Sequence, residues 1–132
     1  PDFNVGDVMM VSGAEVPLDV RAAYEAPFPS SEYEAGARAF PSLVPIFPDD
    51  VEIPANRQAW QTLAAFAKPF RTSFADGDPV TAGGDRVLQQ RVIGAKGVDH
   101  IVIKGAGHFL QETHGPEVAT AMIDFMRRFV PR

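Results

Sequence analysis

Residues 51–132 alternate between helix and strand patterns but contain only two strand-like segments, and this order most constrains the fold. The apolar periodicity predicts helices over 56–67, 85–93 and 115–130, and strands over 70–75 and 101–103. Helix, strand, helix, strand, helix is typical of a parallel sheet with crossover helices. Because two parallel strands cannot bury the apolar faces of three helices, we expect the rest of the sheet to come from elsewhere.

Two patterns also predict which side chains are buried. The β-branched run Ile101–Ile103 predicts a strand that is buried on both faces. In the last predicted helix, apolar residues at i, i+4, i+7 and i+11 predict the buried face. These residues are Val118, Met122, Phe125 and Phe129.

Residues 1–50 form a separate subregion, because prolines interrupt them at short intervals and strand signals are few. Short helices are predicted over 18–26 and 32–40, with Ser30 as a candidate N-cap of the second. Pro41 is expected to end that helix, because proline disfavours helical backbone in the residue before it.

The composition excludes several classes of function. Hydrophobic residues make up 45% and charged residues 22% of the chain, as in ordinary globular proteins. Lysine and arginine number 12 against 17 aspartate and glutamate, and this net charge of -5 argues against binding to nucleic-acid phosphates. The absence of cysteine excludes disulfides, thiolate metal ligands and a cysteine nucleophile within these residues. No apolar run approaches the roughly 18–20 residues of a membrane-spanning helix.

Polar residues directly follow both predicted strands, where catalytic groups gather in parallel sheets. Asp76 and Asp78 come after the first strand, and His108 lies in the loop Gly105–Phe109 after the second. Side chains on loops at the same edge of adjacent strands can meet by a hydrogen bond. A carboxylate in that position fixes the tautomer of an imidazole and stabilises its protonated form, as a general base requires.

Each loop alone has a simpler interpretation. Asp-Gly and Asp-Pro are common turn sequences, and a single histidine between glycine and phenylalanine is more often structural than catalytic. The two loops together, each at the end of a strand, favour an acid–histidine pair. We assign His100 to the entry of the second strand and His114 to the turn before the last helix. Three scattered histidines without matched carboxylates predict no metal site.

A nucleophile elbow is missing from these residues. Such an elbow needs small residues two positions on either side of the nucleophile, at a turn from strand to helix. Ser12 follows Met10 by two residues, and Asp76 and Asp78 also lack small residues on both sides. Gly83-Gly84-Asp85 is too short for a nucleotide-binding loop. The residues therefore predict the acid and the base of a catalytic triad without its nucleophile.

Three segments resemble one family of enzymes. Gly-Ala-Gly-His-Phe-Leu-Gln-Glu (105–112) resembles the loop that bears the catalytic histidine in α/β-hydrolases, with a close form in haloalkane dehalogenases and epoxide hydrolases. Phe-Ala-Asp-Gly-Asp-Pro-Val-Thr (74–81) is similar to the acid segment of the dehalogenase branch that places its acid after the seventh strand. Ala-Tyr-Glu-Ala-Pro-Phe-Pro (23–29), followed by Tyr33 and by Phe40-Pro41, resembles the cap domain of that branch. The resemblance covers nearly the whole chain.

The resemblance implies an α/β fold that corresponds to the carboxyl-terminal portion of an α/β-hydrolase. Residues 1–50 would form the late part of the helical cap and the return to the main domain. Residues 51–132 would form the C-terminal part of the main domain, with the last two parallel strands and their flanking helices. The nucleophile elbow and the halide-binding tryptophan of the family have no counterpart in these residues.

The same resemblance implies roles for individual residues. His108 would be the general base and Asp78 the acid that orients it, with Asp76 as the competitor for the acid role. Four apolar residues match positions that line the substrate pocket of such enzymes, with core packing as the alternative: Phe40, Pro41, Val44 and Val80. Tyr24 and Trp60 are assigned to packing.

The implied reaction hydrolyses a halogenated alkane with water to an alcohol and a halide ion, through an alkyl-enzyme ester. An aspartate outside these residues attacks the carbon, and the histidine activates the water that hydrolyses the ester. No cofactor, metal, nucleic acid or membrane is implied, and the missing N-terminal half of the fold is required for turnover. The lack of cysteine and of a leader fits a bacterial cytoplasmic enzyme.

Two rival interpretations remain open. An epoxide hydrolase or another cap-bearing hydrolase would share both loops, but epoxide hydrolases use cap tyrosines on the epoxide oxygen where dehalogenases use tryptophan on the halide. Tyr24 and Tyr33 both lie in the dehalogenase-like cap segment. The other rival is an inactive, truncated hydrolase domain that self-associates through an exposed apolar sheet face.

Overall fold

Short helices flank a two-stranded parallel sheet in a computed structural model, which describes residues 4–11 and 16–129. Within these residues the helices are α1 (Val5–Val11), α2 (Leu18–Glu25), α3 (Ala35–Ala39), α4 (Ile53–Ala64), α5 (Gly84–Arg91), α6 (Leu110–Thr113) and α7 (Gly115–Phe129). The strands are β1 (Ser73–Ala75) and β2 (Ile101–Ile103). Single 3₁₀ turns lie at Ser31–Glu34, Phe40–Leu43 and Ile93–Ala95. No helix in the described part of the chain is long and apolar enough to cross a membrane.

The sheet has the predicted parallel arrangement, with α5 in the connection between its strands. Ser73 is the partner of Ile101, and Ala75 is the partner of Ile103. The bounds of β2 are those predicted, whereas β1 begins later than residue 70. Phe70 lies outside the strand ladder, because its N–H donates at 2.9 Å to the carbonyl of Gly94, in the 3₁₀ turn Ile93–Ala95.

One prediction about burial was wrong, and another holds only in part. Ile103 is 2% exposed but Val102 is 44% exposed, so β2 is not buried on both faces. In α7, Val118, Phe125 and Phe129 of the predicted face are half-buried, while Met122 is 58% exposed. The exposure of Val102 has a geometric cause: alternate strand residues point to opposite faces, and the other face of this small sheet is open.

The first subregion departs from its prediction after α2. The helix predicted over 32–40 is broken into a 3₁₀ turn, α3 and a second 3₁₀ turn. Pro41 does not end the helical run, because it lies at the start of that second turn, where its missing N–H is not needed. Ser30 precedes the first turn in extended conformation, but its side chain makes no capping hydrogen bond.

No sequence pattern predicted α1, which packs against α2. The Arg21 guanidinium joins the two helices by an ion pair with Asp7 at 2.7 Å and also contacts Glu25 at 2.9 Å. Such a contact depends on two segments that meet only in the folded chain, so local periodicity does not reveal it.

Few apolar side chains are buried in the described residues. They are Met9, Val92, Ala95, Ile103 and Ala106. Large side chains such as Leu18, Ile46 and Val51 are exposed. This distribution agrees with the expectation that the two strands and their helices are part of a larger sheet and core.

Candidate active site

The acid loop, residues 76–81, follows β1 and is closed by hydrogen bonds to Asp78. One carboxylate oxygen of Asp78, Oδ1, accepts the N–H of Val80 at 2.7 Å and the N–H of Thr81 at 3.2 Å. The hydroxyl of Thr81 donates to the other oxygen, Oδ2. Aspartate often closes a turn in this way on the backbone two or three residues ahead.

Thr81 is therefore a site residue that the sequence motifs did not predict. The signal was the order Asp-Pro-x-Thr, in which a hydroxyl three residues after the aspartate can reach back to its carboxylate.

The histidine loop, residues 104–109, follows β2 at the same edge of the sheet. Gly105 has a φ of +74°, a conformation that favours glycine. Ala106 and Gly107 are buried, and His108 comes next. Because Ala75 and Ile103 are paired as the last residues of their strands, the two loops start side by side.

His108 and Asp78 lie in direct contact. The Nδ1 atom of His108 is 3.1 Å from each carboxylate oxygen of Asp78. The Asp78 side chain is 5% exposed and the His108 side chain 29% exposed. An ionised carboxylate only accepts hydrogen bonds, so Nδ1 is the donor, and in the neutral imidazole Nε2 keeps a lone pair that can accept a proton.

The surroundings of Asp78 favour its ionised form. Burial is the largest single effect and raises its pKa, but the hydrogen bonds from Thr81, His108 and the N–H of Val80 together outweigh it. They lower the pKa of Asp78 to about 2. Asp78 is thus a carboxylate at neutral pH, as the contact with Nδ1 requires.

This depressed pKa predicts a specific dependence of stability on pH. A free aspartate has a pKa of about 3.9, so ionised Asp78 stabilises the fold above about pH 4 and loses that contribution as the pH falls toward 2. Thermal unfolding between about pH 2 and 6 should therefore show a smaller acid destabilisation in D78N than in the wild type. D124N, which changes an exposed carboxylate, serves as the control. Equal pH slopes for D78N and the wild type would contradict this account.

Asp76, the competitor for the acid role, does not contact His108. Its Oδ1 accepts the N–H of Gly105 at 2.8 Å, and its Oδ2 lies 3.4 Å from the Lys104 ammonium. The geometry therefore favours Asp78 as the partner of the histidine.

The other histidines lie apart from this pair. His100 Nδ1 accepts the N–H of Thr72 at 3.2 Å, so its proton is on Nε2, which donates to the Ala95 carbonyl at 3.1 Å. His114 contacts the hydroxyl of Thr113 at 2.8 Å. No cluster of three or more histidine, aspartate or glutamate side chains in residues 4–11 and 16–129 could hold a metal ion.

A cavity of about 120 Å³ adjoins the pair and is lined by Ser73, Phe74, Ala75, Asp78, Thr81, His108 and Leu110. The four predicted pocket residues are not among them. Phe40, Pro41, Val44 and Val80 are exposed, although the backbone N–H of Val80 contacts Asp78. Their role in a substrate pocket stays a prediction.

Tyr24, assigned to packing, also makes a polar contact across the chain. Its hydroxyl donates to Glu112 at 2.5 Å, and this hydrogen bond raises the pKa of Tyr24. The contact connects α2 with α6, the helix that follows the histidine loop. Trp60 lies under the Arg91 guanidinium, 5.3 Å from the ring centroid.

Parallel strands with an acid and a histidine at their carboxyl ends match the arrangement that the sequence predicted from α/β-hydrolases. No family model matches the chain. A haloalkane dehalogenase of Psychrobacter cryohalolentis is 48% identical over 128 residues, which cover 96% of this chain and 42% of that protein. One from Mycobacterium marinum is 50% identical over 111 residues, covering 84% and 37%, and one from Mycolicibacterium paratuberculosis is 45% identical over 124 residues, covering 94% and 39%.

The chain is thus homologous to haloalkane dehalogenases over nearly all of its residues, as its motifs predicted. It spans about two fifths of the length of the curated relatives that it matches. These relatives imply an α/β-hydrolase fold, and the two parallel strands with their helices are consistent with a part of it.

Proposed function

We propose that the protein that contains this chain is a haloalkane dehalogenase, with His108 as its general base and Asp78 as the acid that orients the base. The observation that carries the proposal is the 3.1 Å contact between His108 Nδ1 and Asp78 at the carboxyl ends of adjacent parallel strands. It occurs in a sequence 45–50% identical to proteins of that name.

In the first step, a carboxylate from outside these residues attacks the halogen-bearing carbon. A carbon–oxygen bond forms, the carbon–halogen bond breaks, and the halide leaves with the bonding electrons. In the second step, His108 Nε2 takes a proton from water as the water oxygen attacks the carbonyl of the ester. The ester breaks to release the alcohol and regenerate the carboxylate, and the proton leaves the histidine. The balance is one haloalkane and one water to one alcohol, one halide ion and one proton.

Asp78 supports this step in two ways that follow from its contacts. Its ionised oxygens hold the Nδ1 proton, so Nε2 is the free nitrogen that faces the water. Its negative charge stabilises the imidazolium that forms, and because the carboxylate is buried, that interaction is only weakly screened. Thr81 and the N–H of Val80 keep the carboxylate in place.

The rest of the proposal follows the resemblance. Residues 1–50 form the late cap and residues 51–132 the C-terminal part of the main domain. The substrate pocket is lined by Phe40, Pro41, Val44 and Val80. The nucleophile and the halide-binding groups come from outside these residues, and the enzyme acts in the bacterial cytoplasm.

The test is a parallel assay of the protein at its natural length with 1,2-dibromoethane and with a small alkyl epoxide. We expect bromide release with the first and no diol from the second. Diol formation without bromide release would favour the epoxide hydrolase. Neither product, together with a self-associated state in gel filtration, would favour the inactive domain, for which the exposed apolar side chains provide a surface.

A further inference from the structure

The acid loop and the histidine loop are joined by contacts that do not involve Asp78 or His108. Asp76 Oδ1 accepts the N–H of Gly105 at 2.8 Å. One residue further on, the N–H of Gly77 donates to the carbonyl of Ala106 at 3.0 Å. We call these two hydrogen bonds the loop tie. Each of its residues lies one to three positions from a member of the acid–histidine pair.

The tie holds the two loops at close range. A Cβ atom on Gly77 would lie 2.8 Å from the Ala106 carbonyl oxygen, nearer than such contacts normally allow. The loops can therefore approach this closely only with glycine at position 77. Ala106 and Gly107 are buried, so a shift at Gly105 has little free space to absorb it before His108.

The hydrogen bond, and not the charge of Asp76, is the relevant part of this contact. The Lys104 ammonium lies 3.4 Å from Asp76 Oδ2, but its side chain is 81% exposed, and ion pairs of this kind contribute little. The Gly105 N–H is the main reason that the pKa of Asp76 lies below its usual value. That N–H donates to Asp76 in a fixed direction, and it belongs to the backbone that carries the histidine.

We propose that Asp76 is a positioning residue for the hydrolytic step: its hydrogen bond to the Gly105 N–H, within the loop tie, sets the location of His108 relative to Asp78. Asp76 touches neither the histidine nor the cavity beside it, so it acts only through the histidine loop. The reaction named here rests on the proposed function, whereas the positioning of the imidazole does not.

Asp76→Ala removes the acceptor for the Gly105 N–H, whereas Asp76→Asn keeps an oxygen that can accept it. In the protein at its natural length we expect D76A to lower kcat for bromide release from 1,2-dibromoethane by about 10- to 100-fold, the effect of a small misplacement of a catalytic group. D76N should stay within about threefold of the wild type. K104M, which removes the ammonium and leaves the tie intact, is the matched control and should show wild-type kcat.

A second measurement needs no substrate. NMR of protein labelled with nitrogen-15 in histidine distinguishes the two neutral tautomers, and His100, with its proton on Nε2, is the internal reference. We expect the Nδ1–H tautomer for His108 in the wild type, in D76N and in K104M, and a mixture of tautomers in D76A. A wild type that shows this tautomer but releases no halide would refute the proposed function and leave the positioning role standing.

Wild-type behaviour of D76A in both measurements would overturn the inference. So would a D76N variant as impaired as D76A, because the hydrogen bond would then not be responsible. If D76A fails to fold, the variant Gly77→Ala tests the same inference. The new Cβ must push the Ala106 carbonyl away, so we expect the same mixture of His108 tautomers. A G77A spectrum identical to that of the wild type would overturn the inference as well.

Discussion

Replacing His108 with glutamine is expected to lower steady-state halide release by about 10²- to 10⁴-fold, the usual contribution of a general base. Glutamine approximates the size of imidazole but cannot accept a proton at neutral pH. The reason is structural: Nε2 is the free nitrogen of His108, because Nδ1 donates to Asp78 at 3.1 Å.

Initial rates of bromide release from 1,2-dibromoethane measure this effect, with H114Q as the control. His114 contacts Thr113 and lies away from the acid–histidine pair, so H114Q should have wild-type activity. An H108Q variant with wild-type turnover would remove His108 from the mechanism.

Replacing Asp78 with asparagine is also expected to lower turnover, on the order of 10⁴-fold, as when the acid of a comparable triad becomes an amide. His108 Nδ1 lies equally close to both oxygens of Asp78. In D78N one of these atoms becomes an NH₂ group, which favours the tautomer with the proton on Nε2. The nitrogen that should accept a proton from water is then already protonated.

The same halide assay measures this loss, and D124N is the matched aspartate-to-asparagine control at an exposed position. Loss of activity in D78N with an unchanged His108 tautomer in the histidine NMR spectrum would contradict this explanation. Activity within about tenfold of the wild type would show that another carboxylate orients the base, and Asp76 is then the first candidate.

The sequence predicted those parts of the site that depend on local order along the chain. The run Ile101–Ile103 is a strand, and α7 starts at Gly115, as predicted. Because the two loops begin where paired parallel strands end, the contact between Asp78 and His108 follows from topology. Strand pairing brings these two residues into contact although they are 30 positions apart in the sequence.

Other features depend on contacts that no local pattern encodes. The Asp76 bond to Gly105 spans 29 residues and the Tyr24 bond to Glu112 spans 88, and neither has a periodic signal. Pro41 continues a helical run because a new 3₁₀ turn starts there, which depends on the backbone around it. Val102 is exposed because one face of this two-stranded sheet is open. The apolar character of the strand alone could not predict that open face.

His108 is proposed to activate the water that hydrolyses an alkyl-enzyme ester, and intact-mass measurement of H108Q after mixing with 1,2-dibromoethane tests this role most directly. The account predicts that H108Q at its natural length releases one equivalent of bromide and gains the mass of one bromoethyl group. Peptide mapping should locate that group on a carboxylate outside these 132 residues, and the wild type should show no lasting adduct. Turnover of 1,2-dibromoethane by the wild type without any adduct on H108Q would contradict the account.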